Sequence, residues 1–142
     1  MSDPSGLSPE RIKHLELIQA IVSRLANHSF LIKGWTLTIA AAFFAVLANR
    51  LDWAIALVGL IPLVTFWFLD GVFVRNERRF RDLYNDVRKQ GTTVELMAMD
   101  LRPYAAQNSW AAATFSTTMA LFYGALVLVD AVLVVVAIAR SA

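Results

Sequence analysis

Apolar residues are concentrated in three long blocks that polar segments separate, at residues 30–48, 53–74 and 109–139. A helix of about 19 residues spans ~28 Å, which is enough for one crossing of the ~30 Å apolar core of a bilayer. The third block is longer than one crossing needs, so we expect only its later part, 118–139, to lie in lipid. The pattern predicts three transmembrane helices, and the short turn at residues 49–52 makes the first two a tight hairpin.

The polar segments carry helical patterns of their own. Between residues 9 and 27, apolar residues recur at steps of three and four, which predicts an amphipathic helix. Beyond the second span the helix continues as an arginine-rich extension that Gly91 ends. The predicted chain is one all-α membrane domain over residues 1–142. Its parts are an amphipathic N-terminal helix (9–27), a first span (30–48), a second span (53–74), its cytoplasmic basic extension (75–90), a cytoplasmic linker (91–108) and a helix containing the third span (109–139).

Composition and charge support this organisation. Hydrophobic residues make up 58% of the chain and charged residues 17%, whereas soluble proteins average about 45–50% and about 25%. Of the 13 lysines and arginines, all but Arg50 and Arg140 fall on one side of a three-span arrangement. Because basic residues concentrate in cytoplasmic loops, we expect a multi-pass protein of the bacterial inner membrane with a cytoplasmic N-terminus.

Asp70 is an acid near the end of the second apolar block. In a hairpin whose turn centres between Arg50 and Leu51, Asp70 lies at the depth of Leu31 and within one helical turn of Lys33. A mutual ion pair lowers the cost of placing either charge in a partly apolar setting. The pattern favours an interfacial clasp between Lys33 and Asp70, and the alternative is a role in gating or partner binding.

Asp130 is a second acid, about nine residues or ~14 Å inside the outer end of the third span and so close to the bilayer midplane. A carboxylate there is costly unless it is protonated, paired or hydrated, and no lysine or arginine of the other spans reaches that depth. In a homo-oligomer the face that carries Asp130 could line a cation pore. Alternatively, Asp130 is hydrogen-bonded inside a closed bundle. The pore-lining candidates, at seven-residue spacing, are Ser116, Tyr123, Asp130 and Ala137.

A second face of the same helix carries small residues four positions apart. Small residues at this spacing let helix backbones approach closely in lipid. Together with the unpaired acid, this face predicts that the protein works as a homo-oligomer. The helix-packing candidates are Ala112, Ser116, Ala120 and Gly124.

The arginine-rich extension has an apolar stripe beside basic residues. It can lie on anionic lipid headgroups, or its apolar stripe can dock on the N-terminal helix. We favour docking on the N-terminal helix, because Glu77, Asp82 and Asp86 dilute the positive charge that lipid binding would use. If the protein is a scaffold, the same extension would bind a cytoplasmic sensor or signalling protein. The partner-docking candidates are Arg78, Phe80, Arg81, Leu83, Tyr84 and Val87.

Catalytic chemistry finds little support in the sequence. His14 and His28 have no carboxylate arranged around both, cysteine is absent, and the chain lacks phosphate-loop, nucleophile-elbow and HExxH motifs. We expect neither an enzyme, a cofactor nor a metal site, and no specific binding of nucleic acid.

Three motifs resemble a family of small uncharacterised bacterial membrane proteins. In that family an NSF-x-x-KGW motif enters the first span, an aromatic-rich segment ending in Asp leaves the second, and an ER-x-x-R-x-LY helix follows. Here they correspond to His28 to Trp35, Phe66 to Asp70 and Glu77 to Tyr84, with His28 in place of the usual Asn. Such proteins are similar to membrane effectors of anti-phage defence systems.

The resemblance implies a homo-oligomeric inner-membrane effector that permeabilises the membrane as a pore or ion channel when a cytoplasmic partner activates it. The competing expectation is a non-conducting anchor or scaffold that recruits a cytoplasmic partner.

Overall fold

The computed structural model describes residues 6–141, which form helices and connecting segments with no strand. Three of the helices are long and apolar enough to cross a membrane, so the described chain is all-α and has the helices that a membrane protein requires. The elements are α1 (Pro9–Asn49), α2 (Trp53–Val87), a 3₁₀ turn (Arg102–Tyr104), α3 (Trp110–Thr114) and α4 (Thr117–Ser141).

The first helix, α1, is continuous over 41 residues. Ser8 caps it by accepting a hydrogen bond from the Arg11 backbone N–H at 3.2 Å, and Pro9 occupies the first turn. The predicted amphipathic helix and first span are therefore one element. The polar residues around Ser29 do not interrupt it, because Ser29 is buried against α2 and leaves the helical backbone undisturbed.

The second helix, α2, forms an antiparallel hairpin with α1 and packs against every other helix. Asp52 caps its start by accepting from the Ala54 N–H at 2.8 Å. It then continues without a break through the apolar block into the arginine-rich segment and ends at Val87.

The predicted helix over residues 109–139 is divided in two, which corrects the sequence reading. Ser109 caps α3, but the helix ends after five residues and α4 starts at Thr117. The division lies where α3 contacts α2. Trp67 of α2 donates its ring N–H to the carbonyl of Thr114, the last residue of α3, at 2.8 Å, and so satisfies one of the carbonyls that the end of a helix leaves without a partner.

Large apolar side chains cover the outer surface of the long helices, as expected where the solvent is lipid. Phe30, Ile61, Leu121 and Val135 are each more than 60% exposed. We call the end of the bundle that carries residues 9–28 and 75–109 the basic end. A compact apolar cluster lies there, built from Ile18, Val22, Leu83, Val87 and Tyr104.

Candidate functional site

Asp70 lies at the centre of a buried polar layer that joins all three long helices. Lys33 of α1 places its Nζ 2.5 Å from Asp70 Oδ2, so the pair expected from the hairpin's symmetry is in contact. Ser29 Oγ donates to Oδ1 at 2.5 Å, and the Tyr123 hydroxyl of α4 donates to Oδ2 at 3.0 Å. We call these four residues the Asp70 clasp.

The clasp follows from helical spacing. Ser29 and Lys33 are four residues apart, so both face α2, and Lys33 also donates to Ser29 Oγ at 2.8 Å. Asp70 is fully buried, whereas the Lys33 side chain keeps 21% of its surface exposed. A buried carboxylate with this many donors has its charge compensated, and removing one partner of such a pair costs about 3–5 kcal/mol.

Asp130 has the opposite surroundings. It is fully buried, yet neither carboxyl oxygen has a hydrogen-bond partner. It faces Gly59 of α2, where an added Cβ would lie 3.4 Å from Asp130 Oδ1 and 3.4 Å from the Phe43 ring of α1. The hydrogen bond expected in a closed bundle is therefore not made. A polar group buried without a partner costs a few kcal/mol, and a charged one far more.

The predicted pore-lining face is turned into the single-chain bundle. Tyr123, Asp130 and Ala137 are buried, and Ser116 is half-buried beside the α3–α4 break. These residues therefore share a face as expected, but that face contacts α2 rather than open space. Lining a pore requires α4 to rotate or move away from α2, and remains a prediction.

The predicted helix-packing face lies outside the bundle. An added Cβ on Gly124 would meet no atom within 4 Å, Ala112 is exposed, and Ser116 and Ala120 are half-buried. No helix of the described chain covers Gly124, so its role in contact between copies also remains a prediction.

The predicted partner-docking stripe is already occupied. Leu83 and Val87 are buried in the apolar cluster against α1, and Phe80 and Tyr84 pack partly against it. The stripe therefore packs on the N-terminal part of α1, as we favoured from the sequence. In this conformation the buried pair cannot also serve a cytoplasmic partner.

Several basic side chains fasten the linker instead of facing solvent. Arg11 donates to the Val94 carbonyl at 2.9 Å, and Arg75 donates to the Asn108 carbonyl at 2.8 Å. Arg78, a predicted docking residue, donates to the Ala112 carbonyl at 3.1 Å, while Arg81 pairs with Glu77. The Arg81–Glu77 pair was expected from its four-residue spacing. Sequence reasoning missed the three contacts to backbone carbonyls, because a backbone acceptor leaves no residue-type signal.

His14 and Tyr104 complete the attachment of the linker. His14 is fully buried on α1, and its ring Nε2 lies 2.9 Å from the Ala98 carbonyl. Tyr104 donates its hydroxyl to Asp86 Oδ2 at 2.9 Å. Burial and the neighbouring Asp86 carboxylate raise the pKa of Tyr104 to about 12. The ammonium of Lys89 and the Tyr104 hydroxyl hold the pKa of Asp86 below its usual value.

A cavity of about 360 Å³ lies between α2 and the linker. Its walls are partly acidic, and the described chain has no group of three metal-ligating side chains there or elsewhere. The residues that define it are Leu83, Asp86, Val94, Glu95, Ala98 and Asp100.

Comparison with protein-family models, curated proteins and solved structures finds no match to this chain. The resemblance to small bacterial membrane proteins therefore stays a prediction. The features of the structure that bear on function are the two buried acids and the contacts that hold the linker against α1 and α2.

Proposed function

We propose that the protein is a homo-oligomeric effector of the bacterial inner membrane, with its N-terminus in the cytoplasm, and that it permeabilises the membrane when activated. The bundle described above is its closed form. The observation that carries the proposal is Asp130, an acid buried deep in a span with no partner for either oxygen. Because ionisable groups are expensive in lipid, one that makes no stabilising contact points to function rather than structure.

Opening would occur where α4 meets α2. In the closed form Asp130 faces Gly59, and the contact contributes no hydrogen bond across the two helices. Moving α4 outward would bring the acid into contact with water. In an oligomer the same movement would place one Asp130 from each copy along a shared path for cations.

A route for the activating signal runs through the linker. Residues 91–108 lead directly into α3, and α3 leads into α4 after a break of two residues. The cavity between the linker and α2 offers a place where a cytoplasmic protein or small molecule could displace the linker. Displacement would pull on α3, whose Thr114 carbonyl is held by Trp67, and would loosen α4.

The resemblance supports placing this activity in defence against phage. An effector that depolarises the membrane on activation would stop growth of an infected cell. The proposal therefore predicts toxicity on activation that depends on Asp130.

The test is ion flux from liposomes that contain the purified protein. Asp130→Ala is expected to abolish flux, whereas Val129→Ala, a change at the neighbouring position whose side chain is 48% exposed, should leave it intact. Both variants are compared at equal incorporation and after confirming that they fold. Undiminished flux from Asp130→Ala would contradict the proposed path.

The mass of the detergent-purified complex is a second test, because three spans in a single copy cannot enclose a channel. An oligomer is expected, and a monomer would remove the pore version. The competing function is then a non-conducting scaffold. Since Leu83 and Val87 are buried, a scaffold would have to recruit its partner through exposed residues such as Arg81, and its activity would be indifferent to Asp130→Asn.

A further inference from the structure

The surroundings of Asp130 are free of any group that could neutralise a carboxylate. Gly59 faces it from α2 and Phe43 from α1. No titratable side chain occurs in α1 after Lys33 or in α2 before Asp70, and in α4 the only one between Thr117 and Ala139, apart from Asp130, is Tyr123, two turns away. The hydroxyl of Tyr123 donates to Asp70, away from Asp130.

Distance also separates Asp130 from the Asp70 clasp. Asp130 is level with Gly59, and Gly59 precedes Asp70 by 11 residues on the same helix. At 1.5 Å per residue, the two acids are about 16 Å apart along the bundle. At that distance Lys33 cannot serve as a counterion for Asp130.

A metal cation, a water molecule or a proton can satisfy a buried carboxyl group. The three differ in how many polar partners each requires. A bound metal cation takes about six oxygen ligands, but Gly59 and Phe43 offer no side-chain oxygen, and the described chain has no metal-ligating cluster. A buried water needs about two to four polar partners, and the side chains that meet at Gly59, those of Asp130 and Phe43, offer no polar group other than the acid itself. A proton needs a single oxygen, and it removes the charge that makes burial costly.

We propose that Asp130 is a proton-binding site, which holds a carboxylic acid in the closed bundle and releases its proton when α4 separates from α2. On release, the O–H bond of the acid breaks, its electron pair stays on the carboxylate, and water entering the gap accepts the proton. The stored proton follows from the closed structure alone, whereas the release step rests on the opening proposed above. Opening is thereby linked to the pH of the water that reaches the site.

Infrared spectroscopy of the purified full chain tests the stored proton. The spectrum of the wild type minus that of Asp130→Asn, an isosteric change, is expected to contain the C=O stretch of a carboxylic acid at neutral pH. The matched difference for Asp70→Asn should contain the bands of an ionised carboxylate. If Asp130→Asn does not fold, Asp130→Ala removes the same band. Carboxylate bands for Asp130 at neutral pH would overturn the proposal.

Liposome flux at several pH values tests the release step separately. One released proton makes the open fraction rise by at most about tenfold per pH unit. Val129→Ala, which keeps Asp130, should show the same dependence. Flux that ignores pH, in a protein whose spectrum shows the acid, would overturn proton release but not the stored proton. Absence of flux at every pH would contradict the proposed permeabilising function and leave the infrared result to decide the site.

Discussion

Two acids in one bundle, Asp70 and Asp130, are both fully buried and have opposite surroundings. Asp70 receives an ammonium and two hydroxyls from α1 and α4, whereas Asp130 receives nothing. Burial alone therefore does not tell whether an acid stabilises a membrane protein. The donors around the acid decide. Asp70 has the contacts of a residue that stabilises the bundle, whereas Asp130 has none and is the acid to which we propose to assign a function.

The two regions also differ in how closely the helices approach. Beside the clasp, an added Cβ on Gly71 would overlap Thr114 Oγ1 and lie 3.3 Å from the Thr114 Cα, so a larger residue requires Thr114 to move. Opposite Asp130, an added Cβ on Gly59 would make contacts of 3.4 Å, which is the onset of ordinary packing. The helices α2 and α3 are therefore in very close contact at Gly71. At Gly59, opposite Asp130, α2 leaves more room for a neighbouring side chain.

The largest expected effect comes from the same chemical change at both acids. Asp70→Asn leaves Lys33 without its counterion and should lower the free energy of unfolding by about 3–5 kcal/mol. Asp130→Asn replaces a neutral acid by a neutral amide and should change it by less than about 1 kcal/mol, because no partner is lost. Denaturant unfolding in detergent micelles measures both. Equal losses in the two variants would remove the distinction between the regions.

Glycine replacements should give the next largest effect. Gly71→Ala forces Thr114 and α3 away from α2, and overpacking of this kind costs about 1–3 kcal/mol. Gly59→Ala should cost less, since its nearest contacts are 3.4 Å. Gly34→Ala, where nothing lies within 4 Å, is the control and should be neutral or slightly stabilising. Unfolding midpoints that rank these variants differently would contradict the packing described for α2.

A smaller loss is expected when the clasp keeps its ion pair. Tyr123→Phe removes one hydroxyl from Asp70 and leaves Lys33 and Ser29 in place, so the cost should be about 1.5 kcal/mol, at the low end for a bond to a charged group. Because Tyr123 is the clasp's only residue from α4, the variant should also open more readily. Increased flux at unchanged oligomer mass is the expected readout, and reduced flux would contradict the link between clasp and gate.

The smallest effect concerns Tyr104 and Asp86, a hydroxyl–carboxylate pair outside the spans. The pKa of Tyr104 is raised from the usual 10 to about 12, so its contribution to stability is complete below pH 10 and is lost as pH rises through about 12. Ultraviolet titration of the phenolate, with Tyr104→Phe as the reference, measures the shift. A Tyr104 titration near pH 10 would show that the linker is not held against α2.

Much of the architecture could be predicted from the sequence, because lipid demands long apolar helices and the hairpin turn fixes relative depth. The equal depth of residues on the two sides of the turn correctly predicted that Lys33 lies beside Asp70. Ser29 and Tyr123 were not assigned to the clasp. Ser29 was read as part of a polar interruption before the first span, and Tyr123 lies on α4, whose alignment with α2 no short turn fixes.

The errors have a common physical origin in tertiary contacts. The break before α4 contains neither proline nor glycine, and it lies where Trp67 of α2 meets the end of α3 at Thr114. The apolar stripe of the basic extension and its docking on the first helix were expected, whereas the residues it meets there, Ile18 and Val22, became known only from the packed bundle. Asp130 could be recognised from the sequence, because an acid near the middle of a membrane span is costly wherever it points. That it faces α2 could be learned only from the packed bundle.

The most direct test of the contrast between the two acids is carbon-13 NMR of the full chain in micelles, with the aspartate carboxyl carbons labelled. Comparison with the Asp70→Asn and Asp130→Asn variants, labelled in the same way, assigns the resonances of the two buried carboxyl carbons. At neutral pH the account predicts a carboxylate shift for Asp70 and a carboxylic acid shift for Asp130. A carboxylate shift for Asp130 would contradict it, and so would a protonated Asp70.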